Sequence, residues 1–547
     1  VTSIDRFHSR RWWGLAAISV GVALIIMDAT IVSVAMPSII SDLELSTTQV
    51  QWVQEVYTLV FAALLMVWGT TSDRLGRRRV LVIGLLVFML ASILCAFAPS
   101  GAWLIAARAL QGVGGSMILP TTLALLNATF RGSERGIAFA VWGSTIGSMA
   151  AVGPVLGGWL TSSFSWHWAF WINVPFVLVV VVMLYMSVPE SRQHETDRFT
   201  DWLGALASVL GFGLLVFALI EGRSYGWWGA TEDAPFTFGS LSPIPVIFLA
   251  SAIVLTLLVR WEKRRVEAGR SVLLDVTLFR IPTFANGNVT ALTVSLGEFG
   301  LILSLPLWFQ YVRDMDALHA GLALLPLAVG SFLASGSVHS MSKHLTPIQM
   351  VRLGLALEIG GLVALAVLLR SDSGGWVTGV PLFVYGMGVG FATAQITQLI
   401  LADVPVDRSG QASSTQSTSR QVGSALGIAI LGTALFTTLR SSTESRLADQ
   451  IAANPEVKDL ADAVASSSGA LIGQLSENPA TAFVADAARE ALTHGVTVAA
   501  LVGVAALVVG FLTTIPLGHA RAATTLAGGA TDSVDDELPA ESATSAD

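Results

Sequence analysis

Between two apolar runs the chain reads Gly69-Thr-Thr-Ser-Asp73-Arg74-Leu-Gly76-Arg77-Arg78-Arg79. The runs, residues 51–70 and 80–97, each approach the ~20 residues that carry a helix across a ~30 Å hydrocarbon layer. Gly69 permits close helix approach and Gly76 a tight turn. Arg77 to Arg79 suit the headgroup side of a bilayer, where positive residues collect on the cytoplasmic face. An anchoring role accounts for those three arginines. It does not account for an Asp–Arg pair framed by two glycines, so Gly69, Asp73, Arg74, Gly76, Arg77 and Arg78 are read together as a conformational motif.

The same alternation of apolar run and polar loop fills the chain. Of 547 residues, 53% are hydrophobic and 12% charged, with a mean hydropathy of +0.69. Soluble proteins carry about a quarter charged residues, so this is an integral membrane protein. Sixteen Trp against five Tyr fits rings gathered at the two bilayer faces. Fourteen segments qualify as spans: 12–34, 51–70, 80–97, 103–126, 137–160, 168–188, 202–220, 246–259, 284–311, 318–338, 350–369, 377–401, 421–439 and 495–517. The fold class is thus an all-α membrane protein. A cytoplasmic N-terminus puts 22 of the 30 Lys and Arg inside and three, Arg223, Arg313 and Arg370, in short outer loops. That asymmetry places both termini in the cytoplasm and residues 440–493 outside. The organisation read from the loops is a first six-helix bundle (1–188), two inserted helices with a basic cytoplasmic loop (189–283), a second six-helix bundle (284–517) and an acidic disordered tail (518–547). The Ala-, Ser- and Asp-rich stretch 440–493 is expected to form short amphipathic helices.

Charges inside spans are the next signal, because an ionisable group there costs at least ~2.5 kcal/mol by insertion scales unless it is paired or wetted. Asp28 lies in Leu24-Ile-Ile-Met-Asp28-Ala-Thr30, Glu55 in Gln51-Trp52-Val-Gln-Glu55-Val-Tyr57, and Arg108 in Leu104-Ile-Ala-Ala-Arg108-Ala-Leu-Gln-Gly112. At ~1.5 Å per residue all three fall in the outer third of the bilayer. Asp28, Glu55 and Arg108 are therefore the proton-coupling and cation-binding candidates. Glu298 and Glu358 sit mid-span in the second half. With Tyr57, Phe61, Trp308, Phe309 and Phe391, whose ring faces suit cation–π contact, they are offered as lining of a substrate cavity. Gly153, Pro154, Gly157 and Gly158 mark a deformable, closely packing fifth helix.

Other chemistries are missing from the sequence. Net charge is −8 and no basic domain stands out, which argues against nucleic acid. The single Cys95 leaves no disulfide, CxxC pair or thiolate metal site. No His has ligand spacing, and neither a phosphate-binding GxxxxGK[ST] nor a His-Glu-x-x-His occurs. No cofactor and no metal are expected, and no enzyme active site is legible.

These residues resemble the major facilitator superfamily, and within it the fourteen-helix drug:proton antiporters, over about 12–517. The Gly69–Arg78 loop is similar to the superfamily's signature between helices 2 and 3. Arg108-Ala-Leu-Gln-Gly112 is similar to its helix-4 motif, and Gly153-Pro154-x-x-Gly157-Gly158 to the helix-5 motif of antiporters. Met27-Asp28-x-Thr30, Trp166-x-Trp168-x-x-Trp171-Ile-Asn173-Val-Pro175 and Gly410-Gln-Ala-Ser with Ser419-Arg420-Gln-Val-Gly423 resemble patterns of the fourteen-helix branch. Gln-Trp52 with an acid at 55, plus the long outer loop, resembles the quaternary-ammonium efflux pumps. The resemblance implies two six-helix bundles plus two helices, and a monomer in the cell's inner membrane. It implies proton-driven export of lipophilic, cationic drugs by alternating access, with the proton as coupling ion. The alternatives are an exporter of an endogenous amphiphile (a lipid, siderophore or self-made antibiotic), a membrane-embedded lipid-modifying enzyme, and a membrane scaffold or sensor.

Overall fold

The computed structural model describes all residues except 1–2, 46, 193–200, 232–233, 235, 238, 406–407 and 518–547, so the acidic tail lies outside the described residues. The chain is helical throughout: α1 (Ser3–Leu43), α2 (Thr47–Leu75), α3 (Arg77–Ala96), α4 (Gly101–Thr129), α5 (Gly132–Ser163), α6 (Trp168–Trp171), α7 (Asn173–Ser187), α8 (Trp202–Tyr225), α9 (Ile244–Glu267), α10 (Pro282–Tyr311), α11 (Ala317–Ala323), α12 (Leu325–Met341), α13 (Pro347–Leu368), α14 (Gly375–Ala402), α15 (Ser409–Arg446), α16 (Ala448–Ala453), α17 (Glu456–Ser466), α18 (Ile472–Glu477) and α19 (Ala482–Thr513). Among the described residues the nearest thing to a sheet is one bridge, Gly229 to Leu241.

All fourteen segments expected from the sequence are helical. Thirteen are long and apolar enough to cross a bilayer, α6–α7 and α11–α12 each counting as one. The remaining segment is α5, 32 residues long and interrupted by small residues where the others carry Leu and Val. Hydropathy cut the eighth segment short. The α9 helix starts at Ile244, next to Pro245, and runs on to Glu267 because its last turns are satisfied by packing. There the buried Glu262 accepts the Leu273 backbone N–H at 3.2 Å, and Trp261 and Arg265 both reach Asp201.

Small residues set who packs with whom. The α3 and α4 helices are closely paired, as are α2 and α4, α1 and α5, and α1 and α7; in the second half the close pairs are α13–α14, α10–α15, α12–α14, α15–α19 and α10–α19. Contacts between these sets run through α5, against α12 and α14, and through α2 against α15. The α8 helix lies against α2 and α15, and α9 packs chiefly on α8. Of the apolar window of α4, 83% is buried, against 17% for α9, which puts α4 at the centre and α9 at the lipid-facing edge. Exposed Leu90, Val179, Leu206, Leu249 and Val367 form an apolar exterior of the kind lipid covers.

Residues 440–493 contain the expected short helices. The α15 helix continues to Arg446, α16 to α18 follow, and the last long helix begins at Ala482 instead of 495. Val457, Ala461 and Val464 are buried along one face of α17, the i, i+4, i+7 stripe of an amphipathic helix.

Candidate functional site

Asp28 is completely buried on α1 and is the hub of a polar network drawn from four other segments. Arg108 of α4 donates from Nη1 to its Oδ2 at 2.5 Å. Its Oδ1 accepts from Gln111 Nε2 and from Asn173 Nδ2, each at 3.0 Å. Ser92 of α3 accepts from those same two amides at 2.9 and 3.1 Å while donating to the Phe88 carbonyl. Arg108 also donates to Gln111 Oε1 at 2.8 Å and to the Val53 carbonyl at 3.2 Å, and its guanidinium lies 4.5 Å from the Tyr57 ring centre. Cys95 sits on the edge of the network, its thiol 3.6 Å from Gln111 Oε1. The carboxylate thus receives three side-chain hydrogen bonds, one of them from a guanidinium, and none of its surface is exposed.

Glycines place these groups. A Cβ on Gly112 would lie 2.7 Å from the Tyr57 carbonyl, one on Gly114 2.7 Å from the Phe88 nitrogen, and one on Gly115 3.0 Å from the Phe61 ring. The Gly112-Val-Gly114-Gly115 run therefore lets α4 press on α2 and α3 at once, which brings Arg108 and Gln111 to the α1 junction. On the other side of α1, a Cβ on Gly153 would collide with Thr30, and one on Gly157 would meet the Ile31 carbonyl at 3.1 Å. The helix-5 motif thus packs on the turn of α1 that follows Asp28. Gly158 faces Leu318 in the second half instead, and Pro154 lies within α5 between them.

Glu55 does not join Asp28. Its carboxyl is in hydrogen-bonding contact with Glu221 of α8, and two carboxyls can make that contact only if one carries a proton. Tyr57 and Phe61 stack at 5.9 Å beside Arg108. The other candidate cavity residues are buried in separate places. Trp308 and Phe309 meet edge to face, and Trp308 bonds Thr493 of α19 at 2.9 Å. Phe391 lies with Ala140, Ala334, Val338 and Met350, between α5, α12, α13 and α14.

The Gly69–Arg78 motif forms a latch between α2 and α15. A Cβ on Gly69 would overlap the Ser414 side chain and sit 2.9 Å from the Gly410 carbonyl. Asp73, buried, faces the backbone N–H groups of Gly410 and Gln411 in the first turn of α15, where the helix dipole favours an anion. Its ion-pair partner is Arg77, at 2.7 Å. Arg77 was expected at the headgroups; it is buried, because Asp73 and Ser191 satisfy it. Arg78 reaches the Val188 carbonyl, and Arg79 alone of the three is exposed. Gly76 has φ of 109°, a conformation that penalises any Cβ, and Glu190 caps α3 by accepting from the Arg78 and Arg79 nitrogens. Residues 272–275 strap the latch: Thr70 donates to the Leu273 carbonyl, Gln411 to the Val272 carbonyl, and Arg408 pairs with Asp275. Asn127 of α4 adds a 2.8 Å bond to Ser409.

The second half holds its own charged cluster. Arg420 of α15 lies 3.4 Å from Glu298 of α10, held there because Gly423 and Gly427 bring α15 against the Leu292 and Leu296 carbonyls. Glu358 of α13 is buried beside them, and neither of its oxygens has a hydrogen-bond partner. Among the described residues no group of His, Cys, Asp and Glu is arranged to hold a metal.

Residues 18–428 match the sequence profile of the Major Facilitator Superfamily. The chain belongs to the major facilitator superfamily. Among superfamily members it is 32% identical over 501 residues to the multidrug efflux pump LfrA of Mycolicibacterium smegmatis, covering 91% of this chain and 95% of that one. It is also 32% identical over 460 residues to the probable actinorhodin transporter of Streptomyces coelicolor, covering 81% and 75%. The fold is shared with the human organic anion transporter MFSD10, at 12% identity and a TM-score of 0.57 over 93% of this chain and 99% of that one. This is the fold of a secondary active transporter in a family linked to drug and antibiotic efflux.

Several residues around the site were not legible in the sequence. Ser92 looked like one polar residue in the apolar run Leu90-Ala-Ser92-Ile-Leu. Gln111 and Asn173 stood inside quoted motifs without a role. Glu221 follows directly on the seventh apolar segment, outside its bounds; an acid flanked by Ile220 and Gly222 was the available signal.

Proposed function

We propose that this chain is a proton-driven exporter of the fourteen-helix drug:proton antiporter branch, expelling lipophilic cations across the cell's inner membrane. Two six-helix bundles, 1–188 and 284–517, rock about a central site, and 189–283 adds the inserted pair. The observation that supports this most is the fully buried Asp28–Arg108 pair at 2.5 Å. Removing one partner of such a pair costs about 3–5 kcal/mol, since the other charge is left stranded. A proton arriving on Asp28 strands Arg108 in the same way, so the network is stable in one protonation state and must rearrange in the other. That links proton binding to shape.

Charge arithmetic favours more than one acid. Exporting a dication for one proton moves a net positive charge outward, against roughly 2.3 kcal/mol per 100 mV. Asp28 is the main coupling group; Glu55, with Glu221, is the auxiliary one. The latch at Gly69, Asp73 and Gly410 lies on the cytoplasmic side and holds the bundles together there, with both termini inside. Dye efflux from energised everted vesicles tests this. Efflux should be abolished by a protonophore and by Asp28→Asn; efflux that survives both refutes the proposal.

A second reading, export of a self-made amphiphile, draws on the resemblance to the actinorhodin transporter. Competition between cationic dyes and neutral amphiphiles for the purified protein separates the two.

A further inference from the structure

Glu358 is fully buried on α13, both its oxygens lack hydrogen-bond partners, and the Tyr385 hydroxyl beside it on α14 is likewise unpartnered. The ionisable groups acting on it are Glu298 from α10, Arg420 from α15 and Tyr385 from α14. Arg420 is engaged by Glu298 at 3.4 Å. Two carboxyls therefore face one guanidinium. With both ionised the cluster carries a net negative charge among buried groups, and burying an uncompensated charge is far more costly than burying a neutral acid. With one proton on the two carboxyls the cluster is neutral.

A Cβ on Gly388 would lie 2.6 Å from the Glu358 backbone nitrogen, the Gly354 carbonyl oxygen and Glu358 Cγ, so this glycine lets α13 and α14 close on each other around the Glu358 side chain. Glu298 and Glu358 occupy the first and third long helices of the second half, as Asp28 and Ser92 occupy the first and third of the first half. Each half thus buries an acid-plus-arginine cluster with one acid on its first long helix, the arginine coming from the fourth in the first half and from the fifth in the second.

We infer that Glu298 and Glu358 share a single proton under the control of Arg420, forming a second proton-exchange site in the second half, separate from Asp28. In this state Arg420 holds the Glu298 carboxylate and Glu358 keeps the proton. When a cationic group of the substrate enters, the Glu358 O–H bond breaks, the proton leaves to water, and the incoming cation takes over the charge balance. The exchange step rests on the antiport reading above. The shared proton does not.

Infrared spectra of the purified protein, read at the H/D-sensitive C=O stretch of protonated carboxyls, test the shared proton without a substrate. Glu358→Gln should lose one such band. Glu298→Gln should lose it too, because Arg420 is then free to pair with Glu358. Arg420→Gln should gain one. A spectrum unchanged in Glu358→Gln, or a Glu358 band that persists in Glu298→Gln, overturns the inference; should Glu358→Gln not fold, the other two variants still decide. The exchange step is read as proton release from detergent-solubilised protein on adding ethidium, with one charge, or propidium, with two. Propidium should release one proton fewer from Glu358→Gln than from wild type. Equal release from both overturns the second site and leaves the antiport reading standing. None from wild type, with the infrared pattern intact, sinks the antiport reading and the exchange step while the shared proton stands.

Discussion

Gly69→Ala adds one methyl group at the tightest point of the latch. Its Cβ would overlap the Ser414 side chain and lie 2.7 Å from Ser414 Oγ and 2.9 Å from the Gly410 carbonyl. Backbone on one side and a buried helix on the other leave it nowhere to go, so α2 and α15 must separate locally. Forcing a methyl into a packed interface costs typically ~1–3 kcal/mol. Because the contact exists only while the latch is closed, that cost falls on one conformation and not on the other. A difference of ~1–3 kcal/mol shifts a two-state equilibrium by roughly 5–150-fold. The assay is pulsed electron–electron distance measurement between spin labels at the exposed Arg79 and Lys343, one in each half and both on the side the topology reading makes cytoplasmic. The substitution should move population from the short to the long distance, in that range, while the melting temperature of the purified protein changes little. An unchanged distance distribution would mean that α2 and α15 do not part at the latch, and the gating role of the motif would be lost.

Four further outcomes follow from the same geometry. Asp73→Asn removes the Arg77 pair and the anion at the start of α15, and should impair transport while leaving membrane insertion and substrate binding intact; wild-type transport rates would reduce the motif to a topological anchor. Asp28→Asn leaves Arg108 without its carboxylate and should abolish proton-coupled efflux of every substrate with a stability loss of about 3–5 kcal/mol, part of which Asp28→Asn with Arg108→Gln restores in a thermal-shift assay; no restoration means the pair is not coupled. Glu55→Gln and Glu221→Gln should each slow dication efflux more than monocation efflux, and the double variant should be no worse than either single one, since the two carboxyls work as one unit; additive losses would separate them. A cysteine at Ser466, exposed at the end of α17, should react with an impermeant thiol reagent in intact cells, and reaction only after lysis would invert the topology.

Spans were legible because a bilayer imposes one rule on every stretch that crosses it, and that rule is local: twenty-odd apolar residues with satisfied backbones. Depth along a helix was legible for the same reason, so Asp28 and Arg108 read at one level do meet. Direction around the helix was not. Glu55 lies at a similar depth, yet its face turns toward α8, and nothing in Gln51-Trp52-Val-Gln-Glu55 states which neighbour that face will find. Glu221 supplied the answer from more than 160 residues away. Arg77 illustrates a second limit: positive-inside counting treats arginines as equivalent, while a carboxylate one turn back buried this one. The glycines were visible as a pattern, but only the packed structure separates those that bring α4 to Arg108's partners from those that close the latch.

Cys95 is the chain's single sulfhydryl, and it donates to the amide oxygen that also receives Arg108. The S–H stretch falls in a vibrational window that other protein groups leave empty, and its frequency follows the strength of the bond the thiol makes. With one thiol in the molecule the band needs no assignment. Any event that pulls Gln111 away from its neighbours rewrites that band, so the unlabelled protein carries a native readout of its own charge network, available in the membrane and during turnover.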